Sequence, residues 1–117
     1  MLLVGIGGAL GSLTRFWLGT WISKRTTTSF PLSTWLINIT GSFLLGALAS
    51  SHLNQQLPES VWLFSGVGFL GAYTTFSTFG VETLHFLRNQ LVWHAAFYVV
   101  SSVLLGIGAV YAGSLLF

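Results

Sequence analysis

The sequence predicts an all-α membrane protein: four transmembrane helices in one domain spanning residues 1–117. Three observations lead there. Hydrophobic residues make up 53% of the chain and charged residues only 5%, where ordinary soluble domains carry about a quarter charged residues. The mean hydropathy is +0.80, and four basic plus two acidic side chains cannot clothe 117 residues in a polar shell. Finally, four apolar stretches each approach the roughly 20 residues that a helix needs to cross the hydrocarbon core.

The first stretch runs from about Leu2 to Ile22 and stops at SKRTTTSFP. It lacks the basic leader and small-residue cleavage site of a signal peptide, so it is expected to be retained as a span. The second runs from about Leu32 to Ala49 and ends before SHLNQQLPE; the third covers about Val61 to Leu87. The fourth, about Leu91 to Phe117, follows the short turn Arg88-Asn89-Gln90. Trp17, Trp21, Trp35, Trp62 and Trp93 fall near span ends, where indole rings anchor at headgroup level. With four crossings, Lys24, Arg25 and Arg88 share one side and the opposite loop holds no Lys or Arg. The positive-inside rule then favours both termini outside.

Small residues punctuate every span. Gly7 and Gly11 form a small-xxx-small pair, and Gly41, Ser42 and Gly46 mark a face of the second span. Membrane helices associate through such close packing, and four thin helices bury little of their own surface, so an oligomer is expected. Cysteine is absent, which removes thiolate chemistry and disulfides. The net charge of +2 rests on scattered residues and gives no nucleic-acid footprint. His52, His85 and His94 lie at span ends with no metal-ligand spacing, and an enzyme is not expected.

A few residues carry an energetic cost in lipid. Arg15 sits about seven residues before the end of its span, roughly 10 Å below the interface at 1.5 Å per residue. Two readings stand: it snorkels to headgroups, or it pairs with Glu82, a carboxylate at similar depth in the third span. Asn38 enters the second span in NITGSFLLG; it either glues helices together or, with Thr40, Ser42, Tyr98, Ser101 and Ser102, helps to strip water from an anion. The stretch GAYTTFSTFG, residues 71–80, puts Thr74, Thr75, Ser77 and Thr78 near the middle of the third span. Gly71 and the hydroxyl-bearing residues weaken a helix there, and a break at that depth must be enclosed by protein or meet a watery cavity. Phe76 and Phe79 share a face just beyond; they are either packing residues or rings that present positive edges to an anion.

The motifs GGALGSLTRF at 7–16, NITGSFLLG at 38–46 and GFLGAYTTFSTFGVE at 68–82 resemble those of the small bacterial fluoride channels called CrcB or Fluc, in the family's order across four spans. The resemblance implies a passive fluoride channel of the inner or plasma membrane, with a break in the third span. It further implies an antiparallel, dual-topology dimer with two fluoride pores and one central sodium ion, exporting fluoride that accumulates as HF enters and dissociates. Gly71 and Thr74 would then offer main-chain carbonyls to structural Na⁺. Phe76 and Phe79 would be the ring pair of the pore, Asn38 a donor at its entrance, Tyr98 and Ser102 its fourth-span side, and Thr78 part of the polar track. Arg15 would hold the entrance region together, and Glu82 matches a vestibule carboxylate. Two features depart from the family pattern. The loop charges are three against zero, which leaves two partners open: an identical chain, or, if this orientation is fixed, an oppositely oriented paralogue. Gly106 stands where a hydroxyl is expected on the fourth span.

Two other classes compete. Small proton-coupled multidrug exporters also have four spans, but they carry a membrane-embedded glutamate on the first; here Arg15 lies on that span and no carboxylate precedes Glu59. A non-transporting assembly subunit would use the glycine faces but would leave the TTFST run without a purpose.

Overall fold

The computed structural model describes residues 1–25, 30–74 and 77–116, and among them every element is a helix. The helices are α1 (Leu2–Arg25), α2 (Leu32–Leu53), the short α3 (Glu59–Val61), the π-helix π1 (Trp62–Leu70), the short α4 (Gly71–Tyr73), α5 (Ser77–Arg88) and α6 (Val92–Ser114). The molecule measures 47 × 27 × 23 Å, and its long axis matches the roughly 40–45 Å of a bilayer with its headgroup layers. α1, α2 and α6 are each long and apolar enough to cross. The third apolar stretch is divided among four shorter elements, from Glu59 to Arg88. Phe76 and Thr75, named above, lie outside the described residues.

Local chemistry sets the ends of these elements. Lys24 and Arg25 close α1, where cations complement the negative end of the helix dipole. Pro31 precedes α2 at φ −77°; without an amide hydrogen it suits a helix start. α2 and α5 end alike. Gln55 and Gln90 adopt left-handed φ values of 59° and 60°, and the amide hydrogens of Gln56 and Leu91 then reach back to the carbonyls of Ser51 and Phe86, at 3.0 and 2.8 Å. This six-residue closure satisfies carbonyls that lipid could not.

Packing is by backbone approach. α1 lies along π1, and α2 along α6. A Cβ on Gly7 or Gly11 would run into the carbonyls of Phe64 and Phe69, and one on Gly68 into that of Val4. In the second seam Gly46 faces the Val110 carbonyl and Gly113 the Phe43 carbonyl. Two small cores fill the rest. Ile37, Leu70 and Tyr73 cluster with Leu18, Leu45, Leu48 and Phe69, while Phe86, Ala95 and Tyr98 cluster with Phe30, Trp35, Phe79 and Leu91. The outward faces, with Leu13, Phe16, Trp17, Trp93, Leu104 and Ile107 all more than 60% exposed, are surfaces that only lipid or another protein can cover.

Substituting alanine at Gly46 or Gly113 forces two backbones apart. Either change is expected to destabilise the folded protein by about 1–3 kcal/mol, whereas Gly5→Ala and Gly108→Ala, whose added Cβ meets nothing within 4 Å, leave it unchanged. Thermal melting of the four variants in one detergent distinguishes them.

Candidate functional site

The site is organised around the end of α4. Thr74 leaves helical geometry at φ −76°, ψ 151°, and the next described residues, from Ser77 on, are helical. Both the amide and the hydroxyl of Thr74 donate to the Leu70 carbonyl at 3.0 Å, so the last turn is closed by its own side chain. Neighbours hold it in place. The Thr74 methyl occupies the space that a side chain on Gly41 would need. The Tyr73 hydroxyl shares a hydrogen bond of 3.1 Å with Thr40, and its ring lies 6.1 Å from that of Phe69 in a stacked arrangement.

Three open-sided grooves adjoin this point. The central groove, about 340 Å³, is lined by Asn38 and Ser42 of α2, by Thr74, by Phe79 of α5 and by Ser102 of α6, with Leu45 and Val103. A second, basic-side groove of about 450 Å³ lies toward the α1 C-terminus and includes Arg15, Thr34 and Thr78. A third, about 580 Å³, shares Ser42, Ser102 and Val103 with the central groove and follows α6 through Gly106, Val110 and Ser114. Their order along the membrane follows from helix direction. Thr34, Asn38 and Ser42 succeed one another every four residues on α2, and Ser102, Gly106, Val110 and Ser114 do so on α6, so each set forms one stripe. From Ser102 to Ser114 that stripe rises about 18 Å. The adjacent residues Thr78 and Phe79 belong to different grooves and stand between them.

The polar groups in these walls are mostly neutral. The Ser42 hydroxyl donates to the Asn38 carbonyl at 2.7 Å. The Ser102 hydroxyl is buried and, among the described residues, has no hydrogen-bond partner, an arrangement that is costly in an apolar setting unless something else meets it. At Gly106 a Cβ would lie 3.8 Å from the Ser42 hydroxyl oxygen. The lost hydroxyl noted in the sequence is therefore matched by Ser42 across the groove.

The structure brings Asn38, Thr74, Phe79 and Ser102 to one groove, and Arg15 and Thr78 to the next. Tyr98, which the resemblance sets on the fourth-span side of a pore, packs among the helices of its own chain. It is fully buried and lines none of the three grooves, with its ring packed 4.9 Å behind that of Phe79. Its hydroxyl donates to Glu82 Oε1 at 3.2 Å, and the buried Thr34 side chain hydrogen-bonds the same carboxylate. Among the described residues no ion pair joins Glu82 to Arg15; two neutral donors take that role. Sequence reading named Ser42 only as a neighbour and passed over Thr34, although their spacing of four on either side of Asn38 was a usable signal.

A family model described as CrcB-like protein, Camphor Resistance (CrcB), matches residues 2–114. Among similar proteins, "Fluoride-specific ion channel FluC 2" of Clostridium acetobutylicum is 46% identical over 111 residues, covering 95% of this chain and 92% of the relative. "Fluoride-specific ion channel FluC" of Oceanobacillus iheyensis is 42% identical over 114 residues, covering 97% and 87%. The protein of the same description from Rhizobium meliloti is 44% identical over 116 residues, covering 97% and 91%.

Removing the Tyr98 hydroxyl leaves a carboxylate in a span short of a donor. Tyr98→Phe is expected to cost about 1–3 kcal/mol, and the loss should be smaller when Glu82→Gln is already present. A double-mutant cycle read by thermal melting measures that coupling.

Proposed function

Since the chain belongs to the CrcB family, we propose that this multi-pass membrane protein is a passive fluoride channel, and that the three grooves in series are one wall of its path. Support comes from the relatives' descriptions and above all from one observation: Asn38 and Ser102 line a common groove beside Phe79, and the buried Ser102 hydroxyl has no hydrogen-bond partner among the described residues. Fluoride is small and holds water tightly, so losing that water needs several donors close together. Neutral donors suit passage, because binding must be strong enough for entry and weak enough for release. Arg15 raises the local anion concentration at the basic-side groove. Thr78 receives the ion there, the edge of Phe79 passes it inward, and Asn38 and Ser102 rehydrate it toward the α6 C-terminus.

Open-sided grooves need a second wall. An antiparallel second subunit, a copy or an oppositely oriented paralogue, supplies it in this reading and gives two paths per dimer. The main-chain oxygens of Gly71 and Thr74 then hold a sodium ion on the two-fold axis, four oxygens in all. Their placement fits: Gly71 is exposed, a Cβ there would find nothing nearer than 3.9 Å, and Thr74 is the residue at which the backbone turns out of the helix. Sodium would supply positive charge at the dimer centre and tie the two chains together. The Lys24, Arg25 and Arg88 bias favours an oppositely oriented paralogue as the second chain. Nothing in this arrangement couples transport to stored energy, so net flux follows the gradient, outward when fluoride is trapped in the cytoplasm.

Fluoride efflux from proteoliposomes, followed with a selective electrode, tests the reading. The native protein should release fluoride within seconds and retain chloride, and Asn38→Asp and Phe79→Ile should each lower fluoride efflux at least about tenfold, the effect of about 1.4 kcal/mol on a barrier. Vesicles that keep their fluoride as long as protein-free ones refute the function; equal rates in all three proteins refute the site.

A further inference from the structure

We propose that the mouth of the basic-side groove binds the phosphate of an anionic phospholipid, held by the Lys24 ammonium with the hydroxyls of Ser23 and Ser33. This concerns only the outer rim at Lys24, leaving the inner end at Arg15 and Thr78 to the ion path, and it rests on the membrane placement of α1, not on conduction.

The groove holds far more than a halide needs, about 450 Å³, and its two basic residues lie at different depths. Arg15 and Lys24 are nine residues apart, about 13.5 Å along α1, so one small anion cannot contact both at once. Arg15 belongs to the inner end beside Thr78. Lys24 belongs to the outer end, beside Ser23 on its own helix and Ser33 in the first turn of α2. Side chains on a helix lean toward its N-terminus, which for Lys24 means into the groove.

The neighbours narrow the choice of ligand. Arg25 is turned away, its guanidinium 4.7 Å over the Trp21 ring, so Lys24 is the cation that the groove receives at this level. Thr20 also lines the groove, but its hydroxyl donates to the Phe16 carbonyl at 2.8 Å, leaving Ser23 and Ser33 as the hydroxyl donors. The chain has two carboxylates. Glu82 is engaged by Tyr98, and Glu59 lies at the start of α3, across the membrane from Lys24. Among the described residues Lys24 therefore has no ion-pair partner. Trp21, 47% exposed, marks the headgroup layer at this end of α1, so the anion present there at high local concentration is a lipid phosphate diester. Its acyl chains can lie along the exposed Phe16 and Trp17.

The test is native mass spectrometry of the purified protein titrated in micelles with phosphatidylglycerol, with phosphatidylcholine and with inorganic phosphate. The native protein should retain phosphatidylglycerol in preference to phosphatidylcholine. Lys24→Gln should weaken that retention about fivefold, the equivalent of about 1 kcal/mol per basic residue at a membrane surface, while Arg25→Gln changes it little. Equal retention of the two lipids, or equal losses from the two substitutions, would overturn the proposal, the latter because it signals diffuse surface attraction. Displacement of phosphatidylglycerol by inorganic phosphate at comparable concentration would also overturn it, by assigning the site to a soluble anion.

Discussion

In hydrocarbon, a backbone amide or carbonyl without a partner costs several kcal/mol, and that constraint governs this molecule at Thr74. A chain that leaves helical geometry midway through a span must find other bonds or enclosure. Here the Thr74 hydroxyl and amide both return to Leu70, Tyr73 is tied to Thr40, and Gly41 opens a seat for the Thr74 methyl. The polar grooves are gathered at this place because they can be nowhere else. The interruption is a change of direction beside which side chains from α2, α5 and α6 come together.

Much of this was legible in the sequence, for reasons that differ by residue. The apolar stretches located α1, α2 and α6 to within a few residues, because the requirement for length is strict and, Arg15 apart, no charged residue interrupts them. Asn38, Thr74 and Ser102 stood out because each is polar where lipid penalises polarity. The hydrogen bond from Tyr98 to Glu82 was not legible. In a soluble helix the apolar face points inward, but in a membrane both faces are apolar, and periodicity does not tell a tyrosine that meets a groove from one sealed behind Phe79. The π-helical winding of Trp62–Leu70 likewise follows from how that segment seats on α1, which no single-residue propensity encodes.

Glu82 shows how a costly group is accommodated without an opposite charge. Pairing it with Arg15 was a natural expectation for two buried ions at similar depth. Two neutral hydroxyls from Tyr98 and Thr34 do the work instead, joining α5 to α6 and α2. Arg15 lines the basic-side groove and, among the described residues, has no carboxylate partner; on the proposed reading its field acts on anions there.

The glycine contacts between α2 and α6 have a kinetic consequence. With Gly46 pressed on the Val110 carbonyl and Gly113, one turn away, on the Phe43 carbonyl, these two helices cannot slide past one another there without colliding, and they move as one plank. On the proposed reading, an ion crossing beside that plank waits for no gate in it. Turnover is then paced by shedding and regaining water, a regime of many ions per opening instead of one per conformational cycle.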